Sequence, residues 1–247
     1  MQFFRSLHAV KAMTFDLDDT LYNNEPIIQR AERALQQHIR THHPRAAALT
    51  AQQWLHLKNS AIATRPELAS DMGQLRLTVL RQALTDDAQE QTWDEGKLDD
   101  AVMACFHCFY NARSQFTLAE EIHTTLKTLS ERMPLVAITN GNVNAKAIGI
   151  DAYFDDIYHA NLSRPMKPSP VMFEQAADKL GIAPQHILHV GDNLQKDVYA
   201  SINAGFQSAW YACNRPMALQ LEKVSVLPHV VLDNSVSYTH LTLPTSR

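Results

Sequence analysis

The chain has 247 residues, 45% of them hydrophobic, enough to bury a core as one domain with an insertion or as two modest domains. Its 22 basic and 26 acidic residues give a net charge of -4 and are interspersed, with no Lys/Arg block to match a phosphate backbone, so no nucleic-acid partner is expected. No window reaches the roughly 18 apolar residues of a membrane span, the start MQFFRSLHAVKAMTF lacks a signal core, and Cys105, Cys108 and Cys213 do not make a disulfide framework, so a cytoplasmic protein without a membrane partner is expected.

Residues 10–15, VKAMTF, are mostly apolar and stop at Asp16, which predicts a buried strand ending at a polar site. Asp16, Asp18 and Asp19 follow within four positions. In extended chain Asp16 and Asp18 point the same way while Leu17 points into the packing. Two carboxylates about 4 Å apart repel by on the order of 4 kcal/mol at an effective dielectric near 20, so a proton on one of them or a cation between them is required. Asp19 falls on the other side and is read as a turn residue. As a bare pattern, Asp and Thr also simply end strands and cap turns.

The segment after it offers no strand. Ile27, Ala31, Leu35 and Ile39 form one helical stripe, and Leu68, Met72, Leu75 and Val79 another. Thr50 and Gln53 have capping-box spacing ahead of Trp54, Leu57, Ala61 and Ile62. Leu98, Val102, Cys105, Phe106 and Phe109 make a fourth stripe. Cys105-x-x-Cys108 lies in mid-helix and is read as packing, and His42, His43 and His189 have no partner at ligand spacing and are read as loop or core. An all-helical insertion of about 90 residues far exceeds an ordinary loop of ~4–6 residues.

Beyond it, helical patterns at 119–132, 144–150, 170–180 and 194–204 alternate with short apolar runs at 134–139, 186–190 and 207–211, which predicts a parallel sheet covered on both faces. Thr139-Asn140-Gly141 ends one run; Lys167 sits in RPMKPSP; Asp192 and Asp197 follow another run in HVGDNLQKD. Singly these read as an Asn-Gly turn, a surface lysine, an N-cap and a first-turn acid. Together, at strand ends, they supply a hydroxyl and backbone N–H groups for phosphate, an ammonium, and carboxylates without His or Cys that suit Mg²⁺. The final SYTHLTLPTSR has no clear partner pattern and resembles a translated cloning or adaptor junction.

The ordered set Asp16-Leu17-Asp18-Asp19-Thr20, Thr139-Asn140, Lys167 and Gly191-Asp192 with Asp197 resembles the four motifs of the haloacid dehalogenase-like phosphatase superfamily, over about residues 10–210. MTFDLDDTLYNN and LVAITNGN are similar to strings in bacterial members acting on flavin mononucleotide or on the phosphorylated ribitylaminouracil of riboflavin synthesis. The resemblance implies a Rossmann-like α/β core (1–21 and 115–236), a four-helix cap inserted at 22–114, and a tail at 237–247. It also implies hydrolysis of a small phosphorylated metabolite. Asp16 would be the nucleophile, Asp18 the acid/base, Thr139, Asn140 and Lys167 the phosphate ligands, and Asp16, Asp18 (through its carbonyl) and Asp192 the Mg²⁺ ligands, supported by Asp197. Three other readings are set beside this: a phosphatase of another sugar phosphate or nucleotide, a non-catalytic phospho-aspartate receiver or binding relative, and a dehalogenase. A receiver is about half this length and has no acid at the Asp18 position; a dehalogenase does not need Asp18 or the metal.

Overall fold

The strands, in chain order, are β1 (Gln2–Phe3), β2 (Ala12–Phe15), β3 (Leu135–Thr139), β4 (Asp156–His159), β5 (Ile187–Gly191), β6 (Gln207–Trp210) and β7 (Val230–Val231). The structure is a computed structural model and describes residues 1–223, 225–235 and 237–240. These strands form one sheet in the order β1-β7-β6-β5-β2-β3-β4, parallel throughout except for the β1–β7 pair.

Every residue of β2, β3 and β5 is buried, as expected for strands covered on both faces. Alternation sends Met13, Phe15, Leu135, Ala137, Leu188 and Val190 to one face, where α6 (Glu120–Ser130) covers them with Ile122, Leu126 and Leu129. Ala12, Val136, Ile138 and Ile187 point to the other, against Met172, Phe173 and Ala176 of α7 (Val171–Leu180).

From β2 the chain runs outward through β3 and β4 on one side, then returns to β5, β6 and β7 on the other. β2 is therefore the switch point, and the crevice beyond its C-terminal end is where an open α/β sheet receives a ligand. Register fixes the neighbours there, with Phe15 beside Ala137 of β3 and beside Val190 of β5.

Between β2 and β3 lie α1 (Glu25–His42), the one-turn α2 (Pro44–Ala47), α3 (Ala51–Thr64), α4 (Met72–Glu90) and α5 (Glu95–Arg113). The expected stripe Ile27, Ala31, Leu35 and Ile39 is the buried face of α1, and Thr50 and Gln53 form a reciprocal capping box. Leu35, Ile39, Leu80, Leu84, Leu98, Val102 and Phe109 build a core separate from that of the sheet. No helix among the described residues is long and apolar enough to cross a membrane.

Three expectations are corrected. Leu68 belongs to a 3₁₀ segment (Pro66–Ser70) rather than to α4, because the Asp71 carboxylate accepts the Gln74 N–H and starts α4 afresh. Residues 144–150 make only a turn: Asn144 Oδ1 accepts the Ala147 N–H and Gly149, at φ +75°, ends the coil at once. The 194–204 helix divides into a π-helical turn (Leu194–Tyr199) and α8 (Ala200–Asn203). Of the tail, Ser237–His240 form α9, with Tyr238 fully buried against Phe15 and Tyr211; residues 241–247 lie outside the described residues.

Candidate active site

Asp16 is the first residue past β2, and its N–H is held by the Val190 carbonyl of β5. Its Oδ1 receives the ammonium of Lys167 at 2.7 Å, and the same Nζ donates to Asp197 Oδ1 at 2.6 Å and to the Ile138 carbonyl at 2.7 Å. Lys167 is thus no solvated surface lysine. It is 2% exposed, with all three ammonium donors engaged.

The loop carrying Lys167 is fixed by Asn140, whose Oδ1 accepts the Lys167 N–H at 2.8 Å and whose Nδ2 donates to the Lys167 carbonyl at 3.0 Å. Thr139 Oγ1 accepts the Gly141 N–H at 3.0 Å, which sets the turn after β3. Asp192 follows β5 and is gripped from β6 and beyond: Trp210 Nε1 and Arg215 Nη2 donate to its carbonyl, and Arg215 Nη1 to its Oδ2 at 2.9 Å.

All seven expected residues, Asp16, Asp18, Thr139, Asn140, Lys167, Asp192 and Asp197, line one cleft of about 220 Å³ together with Asp19, Asn24, Gly141 and Asn193. Carboxylate oxygens of Asp16, Asp192 and Asp197 lie within 4.8 Å of one another. The Asp18 carboxylate stands outside that group. Arg113, the last residue of α5, donates Nη2 to both its oxygens at 3.0 and 2.8 Å, and Tyr22 donates its hydroxyl at 2.6 Å.

Charge crowding leaves its mark on these acids. Burial, against the pull of Lys167 and with the push of Asp197, drives the Asp16 carboxyl well above its ordinary value. Burial and then Asp197 raise Asp192 to about 6. Burial would raise Asp197 too, but Lys167 and His189 hold it low. Lys167 stays an ammonium because two carboxylates outweigh its burial. Among these three acids, then, two resist ionisation and one does not. Hard oxygen donors this close, short of positive charge, fit a divalent cation of the Mg²⁺ type.

Backbone space is cut to the same pattern. A Cβ on Gly141 would lie 2.4 Å from Asp18 Oδ2, and one on Gly191 would lie 2.3 Å from Asp197 Cγ. Asp19 does hold the turn: it sits at φ 62° and its Oδ1 accepts the Asn24 N–H.

Sequence reading missed the residues that hold these acids. Arg113 had a visible signal, for it continues the stripe Leu98, Val102, Cys105, Phe109 by four residues, and a cation on an apolar stripe asks for a buried partner. It is 2% exposed and also donates to Asn24 Oδ1 and Asn142 Oδ1. His189 and Thr14 share a β-face with α7 and form a buried chain, with Thr14 Oγ1 and His189 Nδ1 2.8 Å apart and His189 Nε2 3.2 Å from Asp197. Arg215 lies in coil and carried no signal.

A family model described as haloacid dehalogenase-like hydrolase matches residues 10–205. The 5-amino-6-(5-phospho-D-ribitylamino)uracil phosphatase YigB of Escherichia coli (strain K12) is 33% identical over 245 residues, covering 98% of this chain and 100% of that protein. Human N-acylneuraminate-9-phosphatase is 26% identical over 247 residues, covering 92% of each. A crystal structure of 2-haloacid dehalogenase from Pseudomonas syringae pv. Tomato DC3000 superposes with a TM-score of 0.85 at 25% identity, covering 94% of this chain and 97% of that one. Matched over most of its length by that model, and similar from end to end to phosphatases, the chain belongs to the haloacid dehalogenase-like hydrolase family as one of its phosphatases.

Proposed function

We propose that this phosphatase hydrolyses the primary phosphate ester of a small metabolite with a ribityl-type chain and a flat ring, flavin mononucleotide or 5-amino-6-(5-phospho-D-ribitylamino)uracil, in a Mg²⁺-dependent reaction through an aspartyl-phosphate. The observation that carries the chemistry is the pairing of Asp16 with Lys167 at 2.7 Å beside an acidic cluster, with a second carboxylate, Asp18, held separately two residues on.

Asp16 attacks the phosphorus in line, and the bond from phosphorus to the alkoxide oxygen breaks. Asp18 gives its proton to that leaving oxygen, then takes one from the water that attacks the aspartyl-phosphate, so that phosphate leaves and Asp16 is restored. Lys167, Thr139 and the N–H of Asn140 bind the phosphoryl oxygens and stabilise the charge that grows on them. Asp16, Asp192 and the Asp18 carbonyl would hold Mg²⁺, with Asp197 in support; when bound, it neutralises negative charge shared by nucleophile and phosphate. The presence of Asp18 and Asp192 favours this over attack on a carbon–halogen bond.

The helical block, residues 22–114, serves as a cap that covers the cleft and selects the leaving group. Its Ser70 hydroxyl accepts the Met166 N–H beside Lys167, and Gly73 lies against both Asn142 and Phe106. Phe106 and Tyr110 stack at 5.7 Å with rings 13° from parallel, on the α5 face that runs on to Arg113. That half-buried aromatic pair offers a flat ring a surface to lie on.

Phosphate release over a panel of flavin mononucleotide, the ribitylaminouracil phosphate, sugar phosphates and nucleotides tests the reading. The two ribityl esters are expected to show the highest kcat/KM, and EDTA to abolish release until Mg²⁺ is restored. Turnover undiminished in EDTA would overturn the metal, and a sugar phosphate ahead by tenfold would overturn the substrate.

Arg113 is the positioning residue for Asp18. Arg113→Gln is expected to lower kcat by about 10–100-fold on an alkyl phosphate, up to the lower end of the 10²–10⁴-fold that general acid catalysis supplies, because Asp18 itself remains. The loss should be smaller on p-nitrophenyl phosphate, whose leaving group needs little protonation. Equal losses on both esters would make Arg113 a structural residue only.

A further inference from the structure

His38 lies near the C-terminal end of α1, His43 at the corner between α1 and α2, and Cys105 in the middle of α5. One ligand atom from each lies within 4.8 Å of the other two. His43 is 4% exposed and Cys105 0%, and His43 Nδ1 has no hydrogen-bond partner among the described residues. A buried ring nitrogen left unpaired is an uncompensated cost of folding.

A second feature points the same way. Asp87 of α4 is fully buried, accepts the N–H groups of Arg45 and Ala46 at 3.0 and 2.8 Å, and forms no salt bridge among the described residues. Its charge acts on both His43 and Cys105. The helical core therefore places a buried carboxyl group, without a salt bridge among the described residues, near two imidazole nitrogens and a sulfur.

We propose that His38, His43 and Cys105 form a binding site for a borderline-soft divalent cation of the Zn²⁺ class, separate from the carboxylate cluster of the catalytic cleft. Two imidazoles and a thiolate select such an ion over Mg²⁺, which takes oxygen donors. A four-coordinate centre with bonds of about 2.0–2.3 Å spaces its ligand atoms about 3.3–3.8 Å apart, so binding draws the three donors together by at most about 1.5 Å, within reach of side-chain rotation. The fourth position goes to water, on the side of the partly exposed His38. Burial holds both imidazoles below their ordinary pKa, leaving lone pairs free at neutral pH, and pushes the Cys105 thiol up to about 12, so binding releases the thiol proton to solvent as the sulfur–metal bond forms. The ion would pin the α1–α2 corner to α5, the two ends of the helical block.

The test uses the full chain, stripped with chelator and held in excess Mg²⁺, with Co²⁺ as the probe. One equivalent of Co²⁺ is expected to bind with a thiolate-to-metal charge-transfer absorption, and Zn²⁺ to displace it and raise Tm by about 5–10 °C at a hundredfold excess over Kd. Cys105→Ala should remove the absorption, His38→Gln should weaken binding at least tenfold, and Asp16→Asn should leave both unchanged. His38 is partly exposed, so its variant reports even if loss of Cys105 disturbs the core. Absence of the charge-transfer band in the wild-type chain, an undiminished band in Cys105→Ala, or an unchanged Co²⁺ affinity in His38→Gln would overturn the site.

Discussion

Asp16→Asn is expected to reduce phosphate release by at least about 10⁴-fold while leaving the fold intact. Without the carboxylate no aspartyl-phosphate forms, and loss of a nucleophile is among the most damaging single changes an enzyme can suffer. Stability should move the other way. Burial already drives the Asp16 carboxyl up, so a neutral amide of the same shape removes a charge the site resists, and Lys167 keeps its bonds to Asp197 and the Ile138 carbonyl. Thermal unfolding is expected at the wild-type Tm or a few degrees above it. Activity within tenfold of wild type would remove Asp16 from the mechanism, and a large drop in Tm would make its role structural.

Lys167→Met is expected to damage both activity and fold. Its ammonium lies 2.7 Å from Asp16 and 2.6 Å from Asp197, so its removal leaves two buried carboxyl groups facing each other and the Ile138 carbonyl without its donor. Breaking a buried ion pair from one side costs about 3–5 kcal/mol, or roughly 10 °C in Tm for a chain of this size. Catalysis loses the cation that meets charge on the phosphoryl oxygens, worth about 10²–10³-fold for a single donor of this kind.

The stability deficit carries a pH signature. Without Lys167 the folded-state pKa of the two acids rises above the unfolded value, so the folded state binds more protons than the unfolded chain, and stability falls as pH rises through that window. Metal-free Lys167→Met should therefore lie further below wild type at pH 8 than at pH 5.5. Denaturant unfolding at the two values decides it, and a deficit independent of pH would mean that the lost stability is packing.

Much of this was legible because the signals are local. A buried parallel strand is a short apolar run, and one that stops at a polar residue marks a sheet edge facing a ligand, a local pattern that points to Asp16, Thr139 and Asp192. The stripe of α1 and the capping box of α3 are likewise set by residues three and four apart. The short strands at and next to the sheet edges, β1, β4 and β7, carry no such signal, since two to four residues hold too little periodicity to stand out and exist only through their neighbours.

Lys167 shows where sequence order and tertiary structure divide the task. Its place between Thr139 and Asp192 nominated it, yet nothing in RPMKPSP says that its ammonium is buried between two acids lying 151 and 30 residues away. Arg113 was readable only as an anomaly on an apolar stripe; that its partner is Asp18, 95 residues earlier, needed the fold. The same holds for His43 and Cys105, which sequence spacing kept apart and the packing of α1 on α5 brings together.

What the sequence by itself determined was the frame: an α/β sheet with a helical insertion after its first core strand, and acids, a threonine and a lysine at the strand ends. Periodicity and chain order encode those directly. What the tertiary structure decided was the state of each group, whether paired, buried or charged. Burial and the approach of distant charges set the free energy of every ionisable side chain, and both depend on contacts between segments that no local pattern records.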